Sequence, residues 1–491
     1  MAKEIVIENF LKMSPQIPQY SDKNQNFLIA GSYPLYYLDY FPIQEEQIAP
    51  LVASPSWVLN TAGTIEGNVV DIIPCLDGSF DVFVITDKTH VYGISNYTGI
   101  TSLGYPTGVV GTDSSCRLAI AGGYLFAILP NTTSYPFKMD LVTHAWTNLP
   151  TSITSSTMAH YVEPFLDYIA LSDASSGYNT TRMVRKIDVT AFTTTPDATS
   201  LDLGKGWGVL RMRNYNNKYL AIAGAPIVTQ TNEWGYSNNY IFLWDGISSR
   251  YNYSMKVPGK FVDMLVIDTV LYVLVQSSSM KHSIYYMSGT TLKKFQTLQF
   301  GIFDHSPFST TNEILFNFKN YIGVQLIQTN DLPQHSLAIF GKDDIGQIEF
   351  VLCYGKQFGK IIIGNNGNLF TGLGNNMYYL DTNGIGINFE EIFYKSQWIP
   401  IKNLQAIDIY YDTPPQSGTD AINVTIYGKG EDIIAGSSTT VLASMTPTTI
   451  LNQSRTRLDC KGFTGDKVMI QLQTVNSTWR PIVRKIVPII K

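Results

Sequence analysis

Charge is what this sequence has least of. Only 15% of its 491 residues are Asp, Glu, Lys or Arg, against about 25% in an ordinary soluble protein. No basic run rises above Arg182, Arg185 and Lys186 or Arg480, Arg484 and Lys485, and the formal net charge is −5. Binding DNA by phosphate neutralisation needs the opposite balance, so it is excluded as a main function. A weakly acidic surface still suits a wall past which DNA slides without sticking. The four cysteines, Cys75, Cys116, Cys353 and Cys460, form no Cys-X-X-Cys pair, which excludes metal knuckles and dithiol redox motifs as sequence signals. The six histidines, at 90, 144, 160, 282, 305 and 335, show no metal-helix spacing. P-loop, GxSxG and GxGxxG signatures are absent from any strand-turn-helix context. No stretch reaches the ~18 apolar residues of a spanning helix, and Met1-Ala-Lys-Glu-Ile5 lacks the apolar core of a signal peptide. The expectation is no membrane insertion, no signal peptide and synthesis in a cytoplasm.

Helical periodicity is missing too. No window sustains a 3.6-residue apolar repeat, so helix is expected in less than about a tenth of the chain. Short runs rich in Val, Ile and Tyr take its place, the composition of strands. The stretch 261–298 shows the unit clearly. Phe261-Val-Asp-Met-Leu-Val-Ile-Asp268, Leu271-Tyr-Val-Leu-Val275, Ser283-Ile-Tyr-Tyr-Met-Ser288 and Lys293-Lys-Phe-Gln-Thr-Leu298 are four strands of falling hydrophobicity. The second strand recurs as Val82-Phe-Val-Ile, Tyr124-Leu-Phe-Ala-Ile, Tyr168-Ile-Ala-Leu, Tyr219-Leu-Ala-Ile, Tyr272-Val-Leu-Val, Tyr321-Ile-Gly-Val and Leu369-Phe-Thr-Gly, at gaps of 42 to 53 residues. The third strand often ends in Asp, as in Phe137-Lys-Met-Asp140, Val184-Arg-Lys-Ile-Asp188, Phe242-Leu-Trp-Asp245 and Tyr378-Tyr-Leu-Asp381. A sandwich or barrel also gives strands at 8–12-residue spacing. Seven matches in order point instead to the roughly 40–50-residue repeat of four-stranded propeller blades.

Residues 1–68 do not fit the repeat. Prolines at 15, 18, 34, 42, 50 and 55 exclude a long helix there, and the aromatic density opposes free disorder. The segment reads as an extended arm that lies on a subunit neighbour or on its own propeller. Trp57-Val-Leu-Asn60 is a candidate strand for closing the ring. Residues 69–389 hold about seven blades. Residues 390–491 alternate strands with Gly, Pro and Ser turns, the pattern of an antiparallel β-sandwich. The expected fold is therefore all-β: an N-terminal arm, a β-propeller and a C-terminal sandwich.

No enzyme chemistry is expected, and no cofactor, metal or catalytic residue is assigned. Asp71, Glu163, Asp263 and Glu313 lie on or beside inner strands. Propeller glycosidases use inward carboxylates, but no repeated acid motif accompanies these four, and they read as solvated channel-lining groups. Asp77–Asp81 and Gly111–Asp113 read as ordinary turns. The candidate interface residues are the aromatics Tyr33, Tyr36, Tyr37, Tyr40 and Phe41 of the arm. Trp234 and Tyr236, with Tyr240, come from a long inter-strand insertion.

The layout itself resembles a family. The early Met13-Ser-Pro-Gln-Ile-Pro, Tyr37-Leu-Asp-Tyr-Phe-Pro42, the propeller, Lys395-Ser-Gln-Trp-Ile-Pro-Ile401 and the terminal Arg480-Pro-Ile-Val-Arg-Lys-Ile-Val487 together resemble the tail nozzle or tail-hub (tail accessory) proteins of short-tailed bacteriophages. The resemblance implies a virion structural protein without catalysis. It implies a homo-oligomeric ring, six copies, around the DNA exit channel, stacked on portal, adaptor or other tail proteins. Genomic DNA would pass through without sequence-specific contact. The competing reading is a carbohydrate-binding or carbohydrate-cleaving propeller, from the Trp/Tyr-rich loops.

Overall fold

A computed structural model describes the chain from 57 to 380 except residues 61–62, 96–98, 109, 130–135, 150–160, 175–180, 194–199, 205, 227–237, 278–280, 299–312, 319–320, 328–334, 343–346 and 355–358. Outside that span it describes 27–30, 32–34, 51–53, 393–395, 401, 404–411, 422–429, 440–445, 454–463, 467–474 and 482–490. Among the described residues every regular element is a β-strand. The chain divides into two compact units, 58–322 with 358–380 and 1–57 with 323–357 and 381–491.

Among the described residues, seven four-stranded antiparallel sheets follow one another along the chain. The first consists of Val69–Pro74, Val82–Thr86, Val91–Ser95 and Gly99–Gly104. Later ones begin at Arg117–Ala121, Val162–Phe165, Trp207–Tyr215, Lys260–Ile267, Leu315–Phe318 and Ile361–Ile363. These first strands touch in cyclic order, and Ile361–Ile363 returns to Val69–Pro74. Sheets arranged radially around such a ring of inner strands make a β-propeller. The seventh sheet takes its outer strand from the start of the chain: Val58 and Leu59 pair with Tyr379 and Tyr378, and Asn60 N donates to Met377 O at 2.9 Å. The candidate closing strand is therefore where the sequence put it.

The recurring apolar second strand has a packing cause. In Tyr124–Ile128, Leu125 and Ala127 join a core with the first sheet, including Phe83, Ile85 and Leu103. Phe126 and Ile128 point the other way, into a core with Ile169, Leu171 and Ile187 of the third sheet. Alternate residues of a strand face opposite sides, and here both sides are buried by neighbouring sheets. The polar half of the usual alternation is thereby lost. The same holds for Val82–Thr86, whose Val82 and Val84 pack with Phe370 and Met377 of the seventh sheet. The cores thus lie between sheets and continue across the point of closure.

The recurring third-strand aspartate has a turn cause. Asp140 Oδ1 accepts from Val142 N and Thr143 N at 2.9 and 2.8 Å. Asp188 Oδ1 does the same for Thr190 N and Ala191 N, and Asp245 Oδ1 for Ile247 N and Ser248 N. Each is an Asx turn that satisfies amides the hairpin leaves open. Two residues before two of these aspartates stand Lys138 and Lys186. Their Nζ groups donate to Val189 O and Gly246 O, each the residue after the next sheet's aspartate. Lys186 lies over the Tyr168 and Trp244 rings and Lys138 over Tyr124 and Phe192. The apolar lysine stems thus bridge neighbouring sheets while the ammonium groups find carbonyls and ring faces.

The second unit contains two five-stranded antiparallel sheets. One runs Phe27–Ala30, Phe393–Lys395, Lys467–Thr474, Ile422–Lys429, Thr440–Met445. The other runs Ser32–Pro34, Leu51–Ala53, Ile482–Ile490, Leu404–Tyr411, Arg455–Phe463. Buried Val424 and Ile426 alternate with half-buried Asn423 and Thr425, the one-sided pattern of a sandwich layer. Three strands of the segment read as an arm, at 27–30, 32–34 and 51–53, are members of these sheets.

Candidate functional site

The inner strands carry ionisable residues to the propeller axis: Asp71, Arg117, Glu163, Arg211, Arg213, Asp263, Glu313 and Lys360. Every one of the seven sheets supplies at least one, on its first strand or directly beside it. Three sit at register shifts, between Val69 and Asp71, Val209 and Arg211, and Phe261 and Asp263. An extra residue there bends the strand and re-aims the charged side chain.

The carboxylates are engaged by partners and not free in solvent, contrary to the reading from sequence; Asp71 and Asp263 are buried and Glu163 and Glu313 partly so. Asp263 is fully buried; its Oδ1 accepts from Met264 N at 2.8 Å and lies 3.1 Å from Arg211 Nε. Its Oδ2 accepts from Ile314 N and Leu315 N of the next sheet at 2.8 and 3.0 Å. Asp71 repeats the device: Ile72 N and Lys360 Nζ donate to Oδ1 at 2.9 and 3.0 Å, and Leu118 N of the next sheet donates to Oδ2 at 2.9 Å. Glu163 Oε1 accepts from Asn214 N, again one sheet on, at 2.8 Å. Glu313 Oε1 gathers Arg213 Nη2 at 3.1 Å, Arg211 Nη1 at 3.4 Å and Lys360 Nζ at 3.6 Å. Four acids and four bases balance at the axis. A buried carboxylate is tolerated only when paired and hydrogen-bonded in this way.

Between these groups lies a cavity of about 260 Å³. Asp71, Arg117, Tyr161, Glu163, Arg213, Glu313 and Lys360 supply its polar lining, and Ile73, Pro74, Ala119, Ile120, Val162 and Pro164 supply apolar wall. The two glutamates are driven apart. Burial pushes Glu163 above the usual carboxylate range against the pull of Arg213 and the Asn214 amide, and the charge of Glu313 adds to the rise. Burial opposes ionisation of Glu313 too, but Arg213, Lys360, Arg211 and Arg117 outweigh it and hold that carboxyl far below its ordinary range. Burial likewise raises the Tyr161 phenol.

These directions set a pH dependence. Glu163 has a folded pKa above its unfolded one, so its contribution to stability is present at low pH and is lost as pH rises through the folded value. Glu163→Gln keeps an acceptor for Asn214 N and removes the charge. It is expected to melt higher than the parent at pH 8, with the difference shrinking toward pH 4. Glu313 runs the opposite way, its contribution being present above the ordinary carboxylate pKa and lost as pH falls. Glu313→Gln is therefore expected to melt lower at pH 8. Thermal melts of both variants across that pH range check the pair of signs.

The sequence singled out the four acids but not the bases that neutralise them. The signal was an ionisable residue within an apolar inner strand, as in Val69-Val-Asp-Ile-Ile and Phe261-Val-Asp-Met-Leu, or at its start, as in Arg117-Leu-Ala-Ile and Lys360-Ile-Ile-Ile. Of the candidate interface residues, Tyr33 lies in the strand Ser32–Pro34, which pairs with Leu51–Ala53. Tyr36, Tyr37, Tyr40, Phe41, Trp234 and Tyr236 lie outside the described residues. Tyr240 packs at 5.9 Å from Trp207 and 6.0 Å from Phe242, so it covers its own sheet's core. Among the described residues no group of three His, Cys, Asp or Glu side chains is placed to hold a metal ion. Cys75, Cys116 and Cys460 are buried free thiols.

No protein-family model matches the chain. No curated protein matches it either. Among solved structures it is similar to a chain in the crystal structure of the mitotic checkpoint complex, with a TM-score of 0.43 and 13% identity over 69% of this chain and 98% of that one. It is also similar to the extracellular domain of a hybrid two component system from B. thetaiotaomicron, with a TM-score of 0.43 and 10% identity over 73% of this chain and 43% of that one.

Proposed function

We propose that this protein is a structural, non-catalytic component of a tailed-bacteriophage particle. In this reading it is a tail nozzle or hub subunit, made in the host cytoplasm and assembled into the virion. Six copies form a ring around the DNA exit channel and stack on portal, adaptor or other tail proteins. The layout of the sequence supports this reading, and so does its poverty of charge, since permanent interfaces deplete charged residues at their cores. The observation that carries it is the state of the axial carboxylates. Asp71, Asp263 and Glu313 each meet cations and, for the two aspartates, amides of the next sheet. Such groups join blade to blade and are spoken for as acids or bases. A cavity of about 260 Å³ is also far too small to pass a duplex, so this reading puts the conduit between copies and not through one propeller.

Heterologous contacts that close by rotation make rings, and the weakly acidic surface keeps DNA from adhering to the wall. The test is native mass spectrometry of the purified protein together with electron microscopy of the particle that carries it. The expected result is a closed ring of six at the tail. A protein absent from particles, or present only as isolated monomers, sinks the proposal. So does hydrolysis of a polysaccharide panel that is lost in Glu313→Gln.

A further inference from the structure

The axial cavity has the chemistry of a site for one kind of small molecule, and we propose that it binds a single neutral polyhydroxylated unit, a hexose-sized sugar residue. This goes beyond the virion reading and does not depend on it.

Size comes first. Pockets for drug-sized ligands start at about 300 Å³, so a cavity of about 260 Å³ takes one sugar ring and not an oligosaccharide. Charge comes second. Three carboxylates, Asp71, Glu163 and Glu313, and three cations, Arg117, Arg213 and Lys360, line the cavity. A phosphate, carboxylate or amine would leave one charge uncompensated in a largely buried place, at high cost. A zwitterion fits no better, because Lys360 already holds Asp71 at 3.0 Å and Arg213 already holds Glu313 at 3.1 Å.

Hydrogen-bonding capacity comes third. Glu163 Oε1 is taken by Asn214 N, while Oε2 has Arg213 Nη1 only at 3.8 Å, beyond hydrogen-bond length. Lys360 carries three N–H groups, of which one reaches Asp71 at 3.0 Å while Glu313 stands at 3.6 Å. The cavity therefore offers an acceptor and a donor from different blades on one polar lining. Neighbouring hydroxyls, each both donor and acceptor, satisfy that combination without moving a charge. Val162 and Pro164 give the apolar wall against which the C–H face of a sugar ring lies. A few placed polar groups on an otherwise apolar concavity is the usual composition of a small-molecule site.

The experiment is saturation-transfer NMR on the full chain with the methyl glycosides of glucose, galactose, mannose and N-acetylglucosamine, and with phosphate, glycine and putrescine as competitors. At least one glycoside is expected to receive saturation at about 10 mM, weaker than the 1 mM that corresponds to about 4 kcal/mol. Val162→Trp, which fills the cavity, is expected to abolish the transfer. Glu163→Gln, nearly isosteric, is expected to weaken it by about 5-fold, the value of one hydrogen bond. Silence from all four glycosides overturns the proposal, as does transfer that survives Val162→Trp, or displacement by phosphate, glycine or putrescine at equal concentration. Should Val162→Trp fail to fold, Glu163→Gln decides alone, and unchanged affinity in that variant overturns the assignment.

Discussion

Asp263→Ala is expected to destabilise the propeller by about 4 kcal/mol, because removing one partner of a buried ion pair costs roughly 3–5 kcal/mol. Asp263 has no exposed side-chain surface, and it holds together three things at once. Its Oδ1 anchors the bulge of its own strand through Met264 N and faces the buried Arg211 guanidinium. Its Oδ2 accepts the Ile314 and Leu315 amides, so it joins the fifth sheet to the sixth. Alanine takes from Arg211 its 3.1 Å carboxylate neighbour and leaves three amides without their acceptor. A loss near 4 kcal/mol is a large part of the ~5–15 kcal/mol that keeps a domain folded. The check is urea unfolding of the parent, Asp263→Ala, Asp263→Asn and the double variant Asp263→Ala/Arg211→Leu. The asparagine retains one carbonyl acceptor and is expected to fall between. The double variant removes the cation that has lost its buried counter-charge and is expected to recover part of the loss. If Asp263→Ala unfolds within about 0.5 kcal/mol of the parent, where ordinary surface substitutions lie, the stitch between sheets is not what holds the ring.

That dependence was only half visible in the chain. Strand identity was legible wherever burial on both faces erased the polar alternation. Tyr124-Leu-Phe-Ala-Ile128 reads as a continuous apolar run because Leu125 and Phe126 enter different cores. The repeat was legible through chemistry that is local: Asp140, Asp188 and Asp245 each cap a turn two or three residues ahead. The acids of the axis were legible as charged interruptions of apolar strands.

Their partners were not, because the pairing is long-range. Lys360 meets Asp71 across 289 residues, and Arg211 meets Glu313 across 102. Nothing at either end of such a pair announces the other. Only the closed ring brings them within 4 Å, and only then does a carboxylate expected in water turn out to be neutralised. The bulges compound the difficulty. A one-residue shift between Phe261 and Asp263 changes which side chain faces the axis, and simple alternation cannot foresee it. The paired strands at 27–30, 32–34 and 51–53 were hidden for a related reason. They are three or four residues long; the partners of 27–30 and 51–53 lie beyond residue 390, and 32–34 pairs with 51–53.

The N-terminal segment makes the second large effect. Truncation after residue 56 and truncation after residue 60 are expected to differ sharply, although only four residues separate them. Both remove Ser32–Pro34 and Leu51–Ala53, and so both uncover the edge of Ile482–Ile490 in the second unit. Only the longer one removes Val58–Leu59, the outer strand of the seventh sheet, together with the Asn60 to Met377 bond. That strand is what ties the start of the propeller's sequence to its last sheet. Losing its backbone bonds costs about 2–3 kcal/mol at roughly 1 kcal/mol each. It also leaves Asn376–Leu380 as a bare edge, with buried Met377 and Leu380 newly exposed, in the state that recruits other chains. The variant starting at 57 is expected to unfold cooperatively, its bare Ile482–Ile490 edge being shared with the longer truncation. The variant starting at 61 is expected to melt several degrees lower, to aggregate, and to be cut by protease first within 359–380. Adding a peptide of residues 57–62 in excess is expected to restore part of the lost melting temperature by mass action. Identical melting and protease maps for the two truncations are the result that excludes closure of the ring by Val58–Leu59.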